Sequence, residues 1–298
     1  MTITYRKPGA TDSEPTIEHV LTLDCPETPG IVRAVSTYLF DHGCDIIDNK
    51  QFGDRRAGHF FMRLHMISDG DESTTDVLRS GFGPVAEQFS MRWNLERQGT
   101  KRRVLIMVSK YGHCLNDLLF RARNGDLPID VVAVVSNHRD HEGLVEWYGI
   151  PFFHVPVSAE TKPESERQLV ELIDRFDVEL IVLARYMQVL SDALCVELSG
   201  KCINIHHSFL PSFKGARPYA QAYERGVKLV GASAHYVTGD LDEGPIIAQQ
   251  VIPVDHTLEP NGIAEIGRDA ETAALTMAVR WHCEGRVITQ GRRTVVLR

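Results

Sequence analysis

The chain has 298 residues, 43% apolar and 24% charged, which suits about two domains with real cores and excludes disordered, collagenous or coiled-coil classes. Its 32 basic and 40 acidic residues give a formal charge of −8, against the basic stripe that sequence-independent nucleic-acid binding requires.

In chain order, the N-terminus MTITYRKPGATDSEP is polar and lacks the apolar core of a signal peptide. No run approaches the ~18 apolar residues of a membrane-spanning helix. A strand is predicted at 18–24, then a helix whose first turn Pro29 suits, with Ile31, Val35, Tyr38 and Leu39 at helical spacing and Gly43 beyond its end. A strand at 45–52, a charged hairpin turn at 53–58 (GDRRAG) and a strand with Phe60, Met62, Leu64 and Met66 alternating follow. Residues 75–88 read as a helix broken by Gly81, Gly83 and Pro84, and Met91, Trp93 and Leu95 alternate in a closing strand. The order is βαββαβ, a ferredoxin-like unit over 15–96, with residues 97–103 (RQGTKRR) as linker.

Beyond it, over 104–298, short Val/Ile-rich runs alternate with helical stretches, the mark of a Rossmann-like α/β domain whose parallel sheet is covered on both faces. Strands fall at 104–108, 131–135, 180–184 and 202–205, with helices at 115–122, 141–148, 166–176 and 190–198 between or after them. Strands at 229–237 and 245–252 have no helix between them and predict a hairpin, followed by a helix at 264–283 and two short apolar pieces. The six cysteines form no CxxC pair, which points to reduced thiols in a cytoplasmic protein.

Ligands of open α/β sheets gather beyond the carboxyl ends of strands, and three such ends carry polar residues: Arg185-Tyr186-Met187, the segment NIHHSFLPSF, and TGDLDEGP. Asn204 and His206, two apart, share one strand face, while His207 is expected to point the other way. An amide and an imidazole there suit either a capped strand end or the polarisation of a carbonyl under attack. A metal at His206 and His207 with Asp240 or Asp242 is disfavoured by their opposed faces. Asp242, in a tight turn, suits turn chemistry or a rigidly held carboxylate. The 240s loop lacks the spaced ligands of a calcium loop, and Ser109–Asn116 (SKYGHCLN) lacks a dinucleotide fingerprint.

Together these motifs resemble the formyltetrahydrofolate deformylases. Asn204-Ile205-His206 with Ser208 and Leu210-Pro211 resembles the NIHxSxLP motif of the folate-dependent formyltransferase fold, and Asp242 in LDEGPI the aspartate of that superfamily. HHSFLPSFKGARPY and SKYGHCLNDLL resemble the deformylase branch, and the N-terminal unit, with DCPETPGIV, resembles an ACT domain. Gly239 departs from the acidic residue that pattern leads one to expect.

The resemblance implies hydrolysis of 10-formyltetrahydrofolate to tetrahydrofolate and formate, in one-carbon metabolism and formate supply for purine biosynthesis. It implies Asn204, His206 and Asp242 as catalytic residues, Arg185, Tyr186, Met187 and Asp240 as folate contacts, and no cofactor or metal. It also implies an amino-acid effector, glycine or methionine, at the turn holding Asp24, Gly30 and Ile31, and a homodimer or homotetramer. A formyltransferase to an amine and a non-catalytic ACT-type regulator are the competing readings. The missing phosphate-binding glycines weigh against the first, and the joint presence of Asn204, His206 and Asp242 against the second.

Overall fold

The computed structural model describes residues 16–71, 73–211 and 218–298. The chain separates into two compact units, the second spanning Lys101–Val296 and the first holding the residues up to Thr100 together with Leu297–Arg298.

The first unit runs β1 (Thr16–Pro26), α1 (Ile31–Asp41), β2 (Asp45–Asp54), β3 (His59–Asp69), α2 (Thr74–Gln88) and β4 (Arg92–Arg97). Its antiparallel sheet has the order β2-β3-β1-β4, a ferredoxin-like arrangement. Met62, Leu64 and Met66 alternate along β3 and meet Val35 and Leu39 of α1 in one core. Two expectations are corrected. Gly30, at φ 98°, caps α1, so Pro29 precedes the helix instead of lying in its first turn. The α2 helix is continuous through Gly81, Gly83 and Pro84. Leu78, Phe82 and Ala86 form its buried stripe, and their burial outweighs the ~1 kcal/mol that each interior glycine costs and the bond lost at the proline.

The second unit runs β5 (Arg102–Val108), α3 (His113–Asn124), β6 (Ile129–Ser136), α4 (Glu142–Trp147), β7 (Phe152–His154), α5 (Lys162–Arg175) and β8 (Leu180–Leu183). It continues with α6 (Asp192–Glu197), β9 (Cys202–His206), α7 (Pro218–Glu224), β10 (Leu229–Tyr236), β11 (Ile246–Pro253), α8 (Pro260–Cys283), β12 (Val287–Gln290) and β13 (Arg293–Val296). Only residues 98–101 separate β4 from β5, fewer than the linker read from composition. The main sheet has the order β11-β10-β9-β8-β5-β6-β7. Strands β7, β6, β5, β8 and β9 pair in parallel, and β10 and β11 are antiparallel.

The period of two explains the uninterrupted apolar runs. Along β5, Val104, Ile106 and Val108 enter one core while Leu105 and Met107 enter the other. In β8, Leu180 and Val182 divide from Ile181 and Leu183 in the same way. A strand covered on both faces has little room for polar residues before its end, so polar chemistry collects just past β8 and over the last three residues of β9.

Candidate active site

Strand β9 sends Ile203 and Ile205 into the core, so Asn204 and His206 face the opposite way. The antiparallel register sets His235 of β10 opposite Asn204. His235 Nδ1–H donates to the Tyr236 carbonyl oxygen at 2.9 Å, and its Nε2 stands 3.3 Å from the Asn204 amide nitrogen. The β10–β11 pairing shifts register between Ala234 and His235, the kind of bulge that re-aims side chains beside sites.

Because β10 runs antiparallel to β9, its carboxyl end lies beside Cys202, whose carbonyl accepts the Val237 N–H at 2.9 Å. The 238–245 loop must fold back to reach His206. Asp242 makes that return at φ 58°, in the left-handed region that aspartate tolerates better than most residues. Gly244 makes the close approach: a Cβ there would collide with the Tyr236 carbonyl oxygen.

The result sets Asp242 Oδ2 3.2 Å from His206 Nδ1 and Oδ1 3.7 Å from His235 Nε2. Burial raises the Asp242 pKa, but the two imidazoles outweigh it and hold the carboxyl well below its ordinary range. His206 is 5% exposed, and its Nε2 has no hydrogen-bond partner.

Asn204, His206, His235 and Asp242 line a cavity of about 420 Å³, within the range of small-molecule sites. Arg185, Tyr186 and Met187 line it too, and Met187, Val189 and Leu241 form an exposed apolar rim. Two details differ from the sequence reading. The Met187 N–H is already donated to Ser109 Oγ at 3.0 Å, so it is not free for a ligand. Asp240 is exposed and absent from the lining, and its carbonyl accepts the Thr238 hydroxyl and the Glu243 N–H to close the turn. His207 also departs from expectation. It lies one residue past the end of β9, strand alternation no longer governs it, and it lines the same cavity. Ser212 to Arg217, quoted in the motif, lie outside the described residues.

Beside the cavity lies a buried cluster that the sequence reading missed. Glu271 of α8, 1% exposed, accepts the Tyr219 hydroxyl at 2.6 Å and pairs with His113 Nε2 at 2.8 Å. Arg185 Nε stands 3.3 Å from the same carboxylate. Gly267, one turn earlier on α8, admits the Tyr219 ring where any Cβ would collide. The available signal was an acidic residue four positions from Gly267 and three from Ala274, on the apolar stripe of a helix. His113, Cys114 and Glu271 bring three ligand atoms within 4.8 Å of one another, but the Arg185 guanidinium competes with a metal for Glu271.

In the first unit, the Asp24 carboxylate is engaged by His59 at 2.7 Å and by Arg92 at 2.8 Å. Ile31 faces the core, so only backbone groups of Gly30 and Ile31 are offered at the start of α1.

Residues 102–279 match the family model described as Formyl transferase. Over 282 residues the chain is 61% identical to the formyltetrahydrofolate deformylase of Corynebacterium sp. (strain P-1), spanning 95% of this chain and 99% of that relative. The crystal structure of a formyltetrahydrofolate deformylase from Pseudomonas syringae pv. tomato str. DC3000 superposes with a TM-score of 0.91 at 42% identity, covering 94% of each chain. Glycinamide ribonucleotide transformylase 1 from Symbiobacterium toebii superposes with a TM-score of 0.64 at 32% identity, covering 69% of this chain and 98% of that one.

Proposed function

The chain belongs to the formyltetrahydrofolate deformylases of the formyl transferase family, and we propose that Asn204, His206 and Asp242 carry its reaction. That reaction is the hydrolysis of 10-formyltetrahydrofolate to tetrahydrofolate and formate. A formamide resists water because nitrogen donates into the carbonyl, so catalysis must stabilise the oxyanion and move a proton from water to N10. The Asn204 amide N–H holds the formyl oxygen as it becomes negative. Asp242 anchors His206 through Nδ1, which turns the Nε2 lone pair toward the cavity. Nε2 removes a proton from the attacking water, the C–O bond forms, and the imidazolium is held by the Asp242 carboxylate. Collapse breaks the C–N10 bond, N10 takes that proton, and the acid loses its remaining proton as formate.

The observation that carries this assignment is the buried, unpartnered Nε2 of His206, whose other nitrogen faces Asp242. An aspartate held far below its ordinary pKa is a poor base, which favours His206 as the proton carrier. The dyad makes both proton transfers, so the proposal includes no cofactor or metal. The apolar rim of Met187, Val189 and Leu241 suits the pterin and benzoyl rings of the folate, with Arg185 and Tyr186 on the cavity wall.

Purified protein given 10-formyltetrahydrofolate alone should release formate, with no acceleration and no formylated product when glycinamide ribonucleotide is added. Asp242→Asn should cut turnover by about 10²–10⁴. A variant keeping half the wild-type rate would remove Asp242 from the mechanism.

We also propose that the first unit is an ACT-type domain that assembles a homodimer or homotetramer and binds glycine or methionine. Its support is the start of α1, where Gly30 caps the helix without a side chain and backbone N–H groups can receive a carboxylate. Turnover of the full-length enzyme should change in the presence of one of these amino acids, and indifference to both would leave the domain without an effector. All six cysteines are free thiols, which supports a cytoplasmic location. Among the described residues, no helix is long and apolar enough to cross a membrane.

A further inference from the structure

Among the described residues, three buried side-chain nitrogens lack a hydrogen-bond partner: Nε2 of His206, and Nε and Nη1 of Arg185. Both side chains line the same cavity. The proposed hydrolysis uses the first nitrogen and leaves the other two unexplained.

Arg185 is 8% exposed and adopts φ 64°, a left-handed conformation that an arginine does not take without compensation. It directly follows Ala184, one residue past β8, so the turn aims the guanidinium into the wall beside His206 and His207. Glu271 Oε2 supplies charge balance 3.3 Å from Nε, and the same carboxylate also takes the Tyr219 hydroxyl and His113. The guanidinium is therefore neutralised as a charge while its Nε–H and Nη1–H donors stay unused. Unused buried donors are costly; Nε–H faces Glu271, whereas Nη1–H belongs with Nη2–H to the end-on fork that is shaped for two oxygens of one carboxylate. His207, held near pKa 4 chiefly by burial and then by the Arg185 charge, is neutral at pH 7 and adds no competing cation.

The reaction creates one small anion with two oxygens on one carbon. We propose that Arg185, flanked by His207, is the subsite that receives formate as it leaves the catalytic centre. The identity of the ligand rests on the hydrolase reading, whereas binding at Arg185 is measurable without turnover.

The test is titration of ¹³C-formate into the full-length enzyme without folate, read as line broadening. A three-atom ligand binds no tighter than about 0.5 mM, so affinity in the millimolar range is expected. Arg185→Met should weaken it at least tenfold. So should Arg185→Met combined with Glu271→Gln, which leaves no unpaired buried carboxylate and keeps the test valid if the single variant folds poorly. Arg185→Lys should recover part of the loss, and acetate should bind more weakly than formate. Formate affinity within twofold of wild type in the folded double variant overturns the assignment. So does an absence of broadening in a preparation that hydrolyses 10-formyltetrahydrofolate, an outcome that leaves the hydrolase reading standing. Formate bound through Arg185 by a protein unable to hydrolyse the folate would sink the hydrolase reading and keep the anion site.

Discussion

At Asp242 two physical demands conflict. Burial raises the energy of its charge, and the imidazoles of His206 and His235 lower it by more, so the carboxylate stays ionised at any pH near neutral. His206 is the partner that moves protons, whereas His235 holds Asn204 and adds a second imidazole facing the carboxylate. His235→Gln should therefore lower kcat about tenfold while KM changes less than twofold, because the cavity keeps its shape. Steady-state kinetics decide this, and an unchanged kcat would reduce His235 to packing. Asn204 and His206 were legible in the sequence because strand alternation places them on one face over two residues. His235 was not. It meets Asn204, 31 residues away in the chain, across the register of two strands, and no local pattern encodes that pairing. Arg185 was legible as a position past a strand end, but its buried donors depend on where α8 places Glu271.

Elements whose identity follows from local spacing were read correctly, including the amphipathic α1 and the β10–β11 hairpin. Those set by tertiary contacts were not. Strand β7 has three residues, too few to show a period, and α2 stays whole only because its buried stripe has a core to enter. The connection between β10 and β11 shows the same dependence, since its fold-back answers to the antiparallel direction of β10. Gly244→Ala forces a Cβ against the Tyr236 carbonyl, and a backbone carbonyl yields only if the turn moves. The expected cost is about 1–3 kcal/mol of stability together with a loss of at least tenfold in kcat, because Asp242 lies two residues away. Activity preserved alongside a lowered melting temperature would separate the turn's stability from the placement of Asp242.

For the whole molecule, stability should depend on pH through histidines buried in the neutral form. His282 donates to or accepts from the Tyr236 hydroxyl at 2.7 Å, and burial, followed by the charge of Arg102, lowers its pKa to about 4 from an ordinary 6.5. Between these values the unfolded chain binds a proton that the folded chain refuses. Its contribution is therefore complete above pH 6.5 and is lost as pH falls toward 4. From pH 7 to 5 the loss is about 2 kcal/mol for this one group. His282→Gln should flatten the fall in melting temperature over that interval, and an identical fall in both proteins would exclude His282 as its source. The sheet order carries a different consequence. His206 stands on the interior strand β9, whereas Asp242 hangs from the connection to β11, one of the two edge strands. Sheet margins open at lower free energy than interiors, so brief fraying of β11 parts the carboxylate from the imidazole while the rest of the sheet persists. Catalytic competence is thereby tied to an edge strand of the sheet, and activity should fall at a lower denaturant concentration than the global unfolding transition.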